Sequence, residues 1–143
     1  MRNSNGKKLS SSYYSVSYSN NKKIGKATVT IKGKKGYYSG TVITKTFIIK
    51  PKKAAISSAK SSSKKKFKIK WKKVSGGVSY QIAYKRKGSS KWYYAKAGSS
   101  TYSKTISSLK SGKYYYVKVR AFKSVNGTKY YGSWSKTKTV KVK

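Results

Sequence analysis

The chain has 143 residues, of which 37 are Lys or Arg and none is Asp, Glu or His, so its formal net charge is +37 at pH 7. Cys is absent as well. No side chain can therefore supply a carboxylate, imidazole or thiolate for general acid–base work, a disulfide or an ordinary metal site, and a domain so charged repels itself and attracts any polyanion nearby.

The length allows one domain or two small ones. Aromatic residues make up 15% of the chain, mostly Tyr, and each ring buries a large area, so a small core is within reach despite the charge. Met1-Arg2-Asn3-Ser4 opens no apolar segment, so an export signal, if the parent is secreted, lies outside this chain. No apolar run is long enough to cross a membrane.

In chain order, Tyr14-Ser15-Val16-Ser17-Tyr18 alternates with period two and predicts a strand. Asn20-Asn21 predicts a turn, residues 26–32 a second strand, 33–40 a loop and 41–50 a third strand. Pro51-Lys52-Lys53 holds the only Pro and marks a boundary, giving a unit at 1–50, a linker at 51–53 and a domain at 54–143. Lys66 to Lys72 is the clearest strand, with Phe67, Ile69 and Trp71 facing one way and Lys66, Lys68, Lys70 and Lys72 the other. Tyr80, Ile82 and Tyr84 repeat the pattern, as do Tyr115, Val117, Val119 and Ala121, which place Tyr114, Tyr116, Lys118, Arg120 and Phe122 on the far face. Turn signals stand at Gly76-Gly77, Gly88, Gly98, Gly112 and Gly132, and Asn126-Gly127 predicts a two-residue hairpin. Val140 and Val142 close the chain. The predicted fold class is all-β: a seven-stranded sandwich preceded by a small antiparallel unit.

Residues 54–143 resemble a fibronectin type III module. Trp71 stands at the end of the second strand, Tyr80-Gln81-Ile82-Ala83-Tyr84 looks like the third, and Leu109, Gly112 and Tyr115 match the spacing of the tyrosine corner. Val117 to Ala121 follows as the sixth strand, and Gly132-Ser133-Trp134-Ser135 looks like the start of the last. Residues 7–50 are similar to the back half of an Ig-like β repeat of bacterial surface proteins, through Leu9, Tyr14, Val16, Tyr18, Asn21, Gly25, Ala27, Val29, Ile31, Gly40 and Phe47. Tyr13 stands where that repeat commonly has an acidic residue, and its early strands are missing. These resemblances imply a spacer or adhesive unit of an extracellular or wall-attached bacterial protein, acting as a monomer or as a tandem module of a longer chain. They imply no reaction and no cofactor.

The residues agree. A Ser–Lys pair is the only nucleophile arrangement this alphabet permits, and Ser adjoins Lys throughout, so adjacency carries no information. No Gly-rich phosphate loop has the required spacing, and Ca²⁺ sites need carboxylates. What remains is a mixed aromatic and basic face. Tyr114, Tyr116, Lys118, Arg120 and Phe122 would share one sheet with Gln81, Lys85, Trp92 and one of Tyr93 or Tyr94. There the rings would stack on sugars or bases and the cations would hold anionic groups. Lys66, Lys68, Lys70 and Lys72 would form a second, purely electrostatic row. The same pattern also serves strand propensity and edge protection. The expected partners are anionic polymers: teichoic acid, sulfated glycans or nucleic acid. Only Arg2, Arg86 and Arg120 are Arg, so diffuse attraction is favoured over base readout. The alternative is a nucleic-acid-binding chain or an engineered, acid-free polycation.

Overall fold

The computed structural model describes Arg2 and residues 5–143, which fall into two compact units, Met1–Ile49 and Lys50–Lys143. The first is a three-stranded antiparallel sheet of β1 (Tyr14–Ser19), β2 (Gly25–Gly33) and β3 (Val42–Ile49), with β2 in the middle. Short 3-10 turns at Ser11–Tyr13 and Gly36–Tyr38 flank it. The register sets Tyr14, Val16 and Tyr18 beside Ile31, Val29, Ile43 and Phe47 on one face, with Lys45 among them, and mostly Ser, Thr and Lys, with Val42 and Ile48, on the other. Three strands cannot close over that apolar face. Among the described residues of this unit only Gly25 and Ala27 are buried, while Tyr18 and Phe47 stay exposed.

The second unit is a two-layer sandwich. One layer holds β4 (Ile56–Ser63), β5 (Lys66–Trp71) and β8 (Ser103–Ile106) in the order β4-β5-β8. The other runs β10-β9-β6-β7, with β6 at Ser79–Arg86, β7 at Tyr93–Ala97, β9 at Tyr114–Val125 and β10 at Thr128–Tyr131. β11 (Lys138–Lys141) pairs with the start of β9. Phe67, Ile69, Tyr80, Ile82, Val117 and Val119 are buried between the layers, each contributing about 1.5–3 kcal/mol by leaving water. Aromatic contacts cross from one layer to the other, from Phe67 to Tyr84 at 6.4 Å and from Trp71 to Tyr80 at 5.2 Å.

The predicted corner is present. The Tyr115 hydroxyl accepts from the Lys110 N–H at 3.1 Å, Leu109 is buried beneath it and Gly112 has φ 72°. Asn126 and Gly127 have φ 48° and 78°, the paired left-handed geometry that lets a two-residue turn match strand twist.

The last strand departs from expectation. Gly132-Ser133-Trp134-Ser135 does not begin it; these residues lie between β10 and β11, outside the ladder. The Gly132 and Ser135 N–H groups still donate to Ala121 and Val119 carbonyls, and the Ser135 hydroxyl accepts from the Val119 N–H at 3.0 Å. A side chain thus replaces a rung where the backbone bends. At Gly132 a Cβ would stand 2.6 Å from the Pro51 carbonyl oxygen, so only glycine passes there.

Candidate polyanion-binding face

The predicted site residues lie on both layers and form no single site. Lys66, Lys68 and Lys70 point outward from β5, and Lys72 follows exposed just past its end. Lys60 of β4 stands directly opposite Lys68, and like charges in that position cost stability. This side is a repulsive field of hydrated ammonium groups.

The other layer is organised differently. Alternation along β9 turns Tyr114, Tyr116, Lys118, Arg120 and Phe122 away from the core. The register sets Lys118 beside Ala83 and Arg120 beside Gln81. Trp92, just before β7, places its ring 4.3 Å from Lys118 Nζ and 5.1 Å from Lys85 Nζ. Trp134, in the bent segment, lies 4.9 Å from the same Lys118 Nζ and 4.4 Å from the Arg120 guanidinium carbon. That guanidinium also lies 3.9 Å from the Tyr131 ring, and its Nε donates to Gln81 Oε1 at 2.8 Å. Rings and cations therefore alternate across the sheet from Lys85 to Tyr131, and Phe122 extends the row against Tyr131 at 5.5 Å. Ala83 is fully buried on this outer side, covered by the side chains flanking it.

Tyr114 lies apart from that row, 5.7 Å from Lys141 Nζ, and Tyr116 is half-buried between the two groups. Of the alternatives at the edge, Tyr94 faces outward with Ala83, while Tyr93 turns inward and stacks on Tyr84 at 5.8 Å. Sequence reasoning missed Tyr131 and Trp134 as ring partners. It treated Trp134 as an ordinary strand residue, and the bend that aims it carries no periodic signal.

Seven cation–π contacts occur among the described residues, against about two expected for a chain of this size. The excess has a physical reason. With no side-chain carboxylate to pair with, the negative faces of Trp and Tyr are the best counter-charge the chain can offer its own cations. Along the row from Lys85 to Tyr131 the cations hold the rings, so their outward donors rather than open aromatic platforms meet a ligand there. Among the described residues no cluster of metal-ligating side chains occurs, and no helix is long and apolar enough to cross a membrane.

No family model and no curated protein matches this sequence. Among solved structures the chain is similar to the FN1-FN3 domains of chicken contactin, with TM-score 0.56 and 22% identity, covering 85% of this chain and 42% of that one. It is also similar to a two-domain fibronectin type III segment of chicken tenascin, with TM-score 0.63 and 14% identity, covering 82% of this chain and 65% of that one. The chain thus spans less than two thirds of either structure. At these identities the likeness fixes the fold, which is fibronectin type III-like.

Proposed function

We propose that this chain is a non-catalytic structural or adhesive module of an extracellular or cell-surface protein, and that it holds anionic polymers through its lysines without reading their sequence. One observation carries this reading: 37 cationic side chains and no acidic one, with lysines exposed on both layers of the sandwich. A bacterial, wall-attached parent, with teichoic acid as the natural counter-charge, is the context that the likeness of residues 7–50 to bacterial surface repeats supports.

The mechanism is counterion release. Each polymer phosphate or sulfate neutralised by a lysine frees a condensed ion, so affinity falls steeply as salt rises. Duplex DNA, heparin and teichoic acid are expected to bind in order of charge density. Affinity for DNA should drop by about a thousandfold or more between 50 and 200 mM salt, as for a protein making several phosphate contacts. Titrations followed by fluorescence anisotropy at four salt concentrations measure the slope. A shallow slope, or one polymer retained at high salt while the others are released, would refute diffuse attraction. In the second case Trp92→Ala would locate the shaped contact.

A further inference from the structure

The inner row of β6 runs from Tyr80 through Ile82 and Tyr84 to Arg86, leaving the core at its far end. There it enters a cleft of about 460 Å³ floored by the tyrosine corner, with Tyr115 and Leu109 beneath. That volume falls within the roughly 300–1,000 Å³ of small-molecule sites. Tyr84 and Tyr93 form one wall, stacked at 26° between ring planes. Arg86 and Lys110 bring cations to the cleft, and Ser107 and Ser108 bring hydroxyls. Among the described residues, neither cationic head nor either of these hydroxyls is engaged in a hydrogen bond with the protein, unlike Arg120, which Gln81 holds. Ser108 has φ 59°, a left-handed backbone that a non-glycine residue adopts at a cost and that recurs at ligand sites.

We propose that this cleft binds an acidic sugar, a uronic-acid residue whose ring lies against Tyr84 and Tyr93 while its carboxylate meets Arg86 and Lys110. The chemistry selects that class. A planar guanidinium takes a carboxylate through two parallel hydrogen bonds. The free serine hydroxyls match ring hydroxyls, and tyrosine faces pack on the C–H face of a pyranose. A purely anionic ligand leaves the rings unused, and a neutral sugar leaves the cations unpaired. Burial, reinforced by Tyr93 and Tyr115, raises the Tyr84 pKa above its ordinary value; a phenol is neutral near pH 7 with or without that rise, so it adds no repulsion towards a carboxylate. This cleft is separate from the lysine rows, and its test is run where their long-range pull is screened.

The experiment is an NMR titration of the ¹⁵N-labelled chain in high salt with D-glucuronate, D-glucose and acetate as separate probes. Glucuronate is expected to give saturable shifts confined to the amides of Arg86, Ser107, Ser108 and Lys110, with glucose and acetate at least tenfold weaker. Arg86→Gln and Lys110→Gln, at exposed positions, should retain the dispersed spectrum of the folded chain and each weaken glucuronate by about tenfold or more, as loss of a charge-assisted hydrogen bond does. The proposal is overturned if acetate reproduces the shifts, if glucose binds as well as glucuronate, if shifts spread over the surface lysines, or if both variants bind unchanged. Because the polymer slope is measured separately, failure here leaves the polyanion reading standing, and failure there leaves this one.

Discussion

The thermal midpoint of the second unit is expected to climb steeply with ionic strength. All 37 charges are of one sign, and the folded state holds them closer together than the unfolded chain does. At 10 mM salt the screening length is about 30 Å, wider than a small domain, so nearly every pair repels; near 0.5 M it falls to a few ångströms. Directly opposed pairs such as Lys60 and Lys68 add a local term of a few tenths of a kcal/mol. Relief of about 2 kcal/mol in total would raise the midpoint by roughly 8–16 °C for a domain of this size. Salt also weakens the cation–π contacts. Those of the row from Lys85 to Tyr131 act at 3.9–5.1 Å between half-buried groups, where screening is slight, so the summed repulsion wins. The three tryptophans, Trp71, Trp92 and Trp134, all lie in the second unit, and their fluorescence reports that unit alone. A midpoint that stays flat from 10 to 500 mM sodium chloride would show that the surface charge does not govern the fold.

The second large effect concerns Tyr80, which is fully buried between Trp71 at 5.2 Å and Tyr102 at 6.2 Å. Its hydroxyl accepts the Val74 N–H at 2.9 Å. Tyr80→Ala removes a ring from the middle of the core and leaves that N–H without a partner. Large-to-small changes of this kind cost about 3–5 kcal/mol, a substantial part of the 5–15 kcal/mol that holds a typical domain together. Tyr80→Phe separates the two terms. It keeps the ring and loses only the acceptor, at about 1–3 kcal/mol for a buried unsatisfied donor. Trp71 supplies the contrast, because its buried Nε1 already has no hydrogen-bond partner. Trp71→Phe loses packing but also sheds an orphaned donor, so it should be milder than Tyr80→Ala. Urea unfolding followed by circular dichroism gives the order. If Tyr80→Phe proves as stable as the parent, the Val74 contact contributes nothing.

Much of the sandwich was legible because its strands alternate cleanly. Phe67, Ile69 and Trp71 point inward and their neighbouring lysines outward, and no other secondary structure satisfies that spacing. The Asn126-Gly127 hairpin and the Tyr115 corner were legible because each depends on a few residues at fixed offsets. The β4–β5 turn was not. It consists of Lys64 and Lys65, with Lys65 at φ 58°, and neither residue favours a turn. What holds it is distant: the Lys65 N–H donates to the Lys143 carbonyl, and its own carbonyl accepts from Leu109. The same holds for the aromatic row. Lys118 and Arg120 were placed correctly on their face, but their ring partners depend on where a bent segment lays Trp134, which is set by the sandwich as a whole.

The alternating rings and cations have one more consequence. Most proteins come apart in strongly acidic solution because their ion pairs need ionised carboxylates, and protonation removes them. Here the groups opposing the cations are indole and phenol faces, which take up no proton as the solution turns sour. With no Asp, Glu or His anywhere in the chain, a sandwich stitched in this way keeps its side-chain contacts in surroundings that would strip an ordinary module of its own.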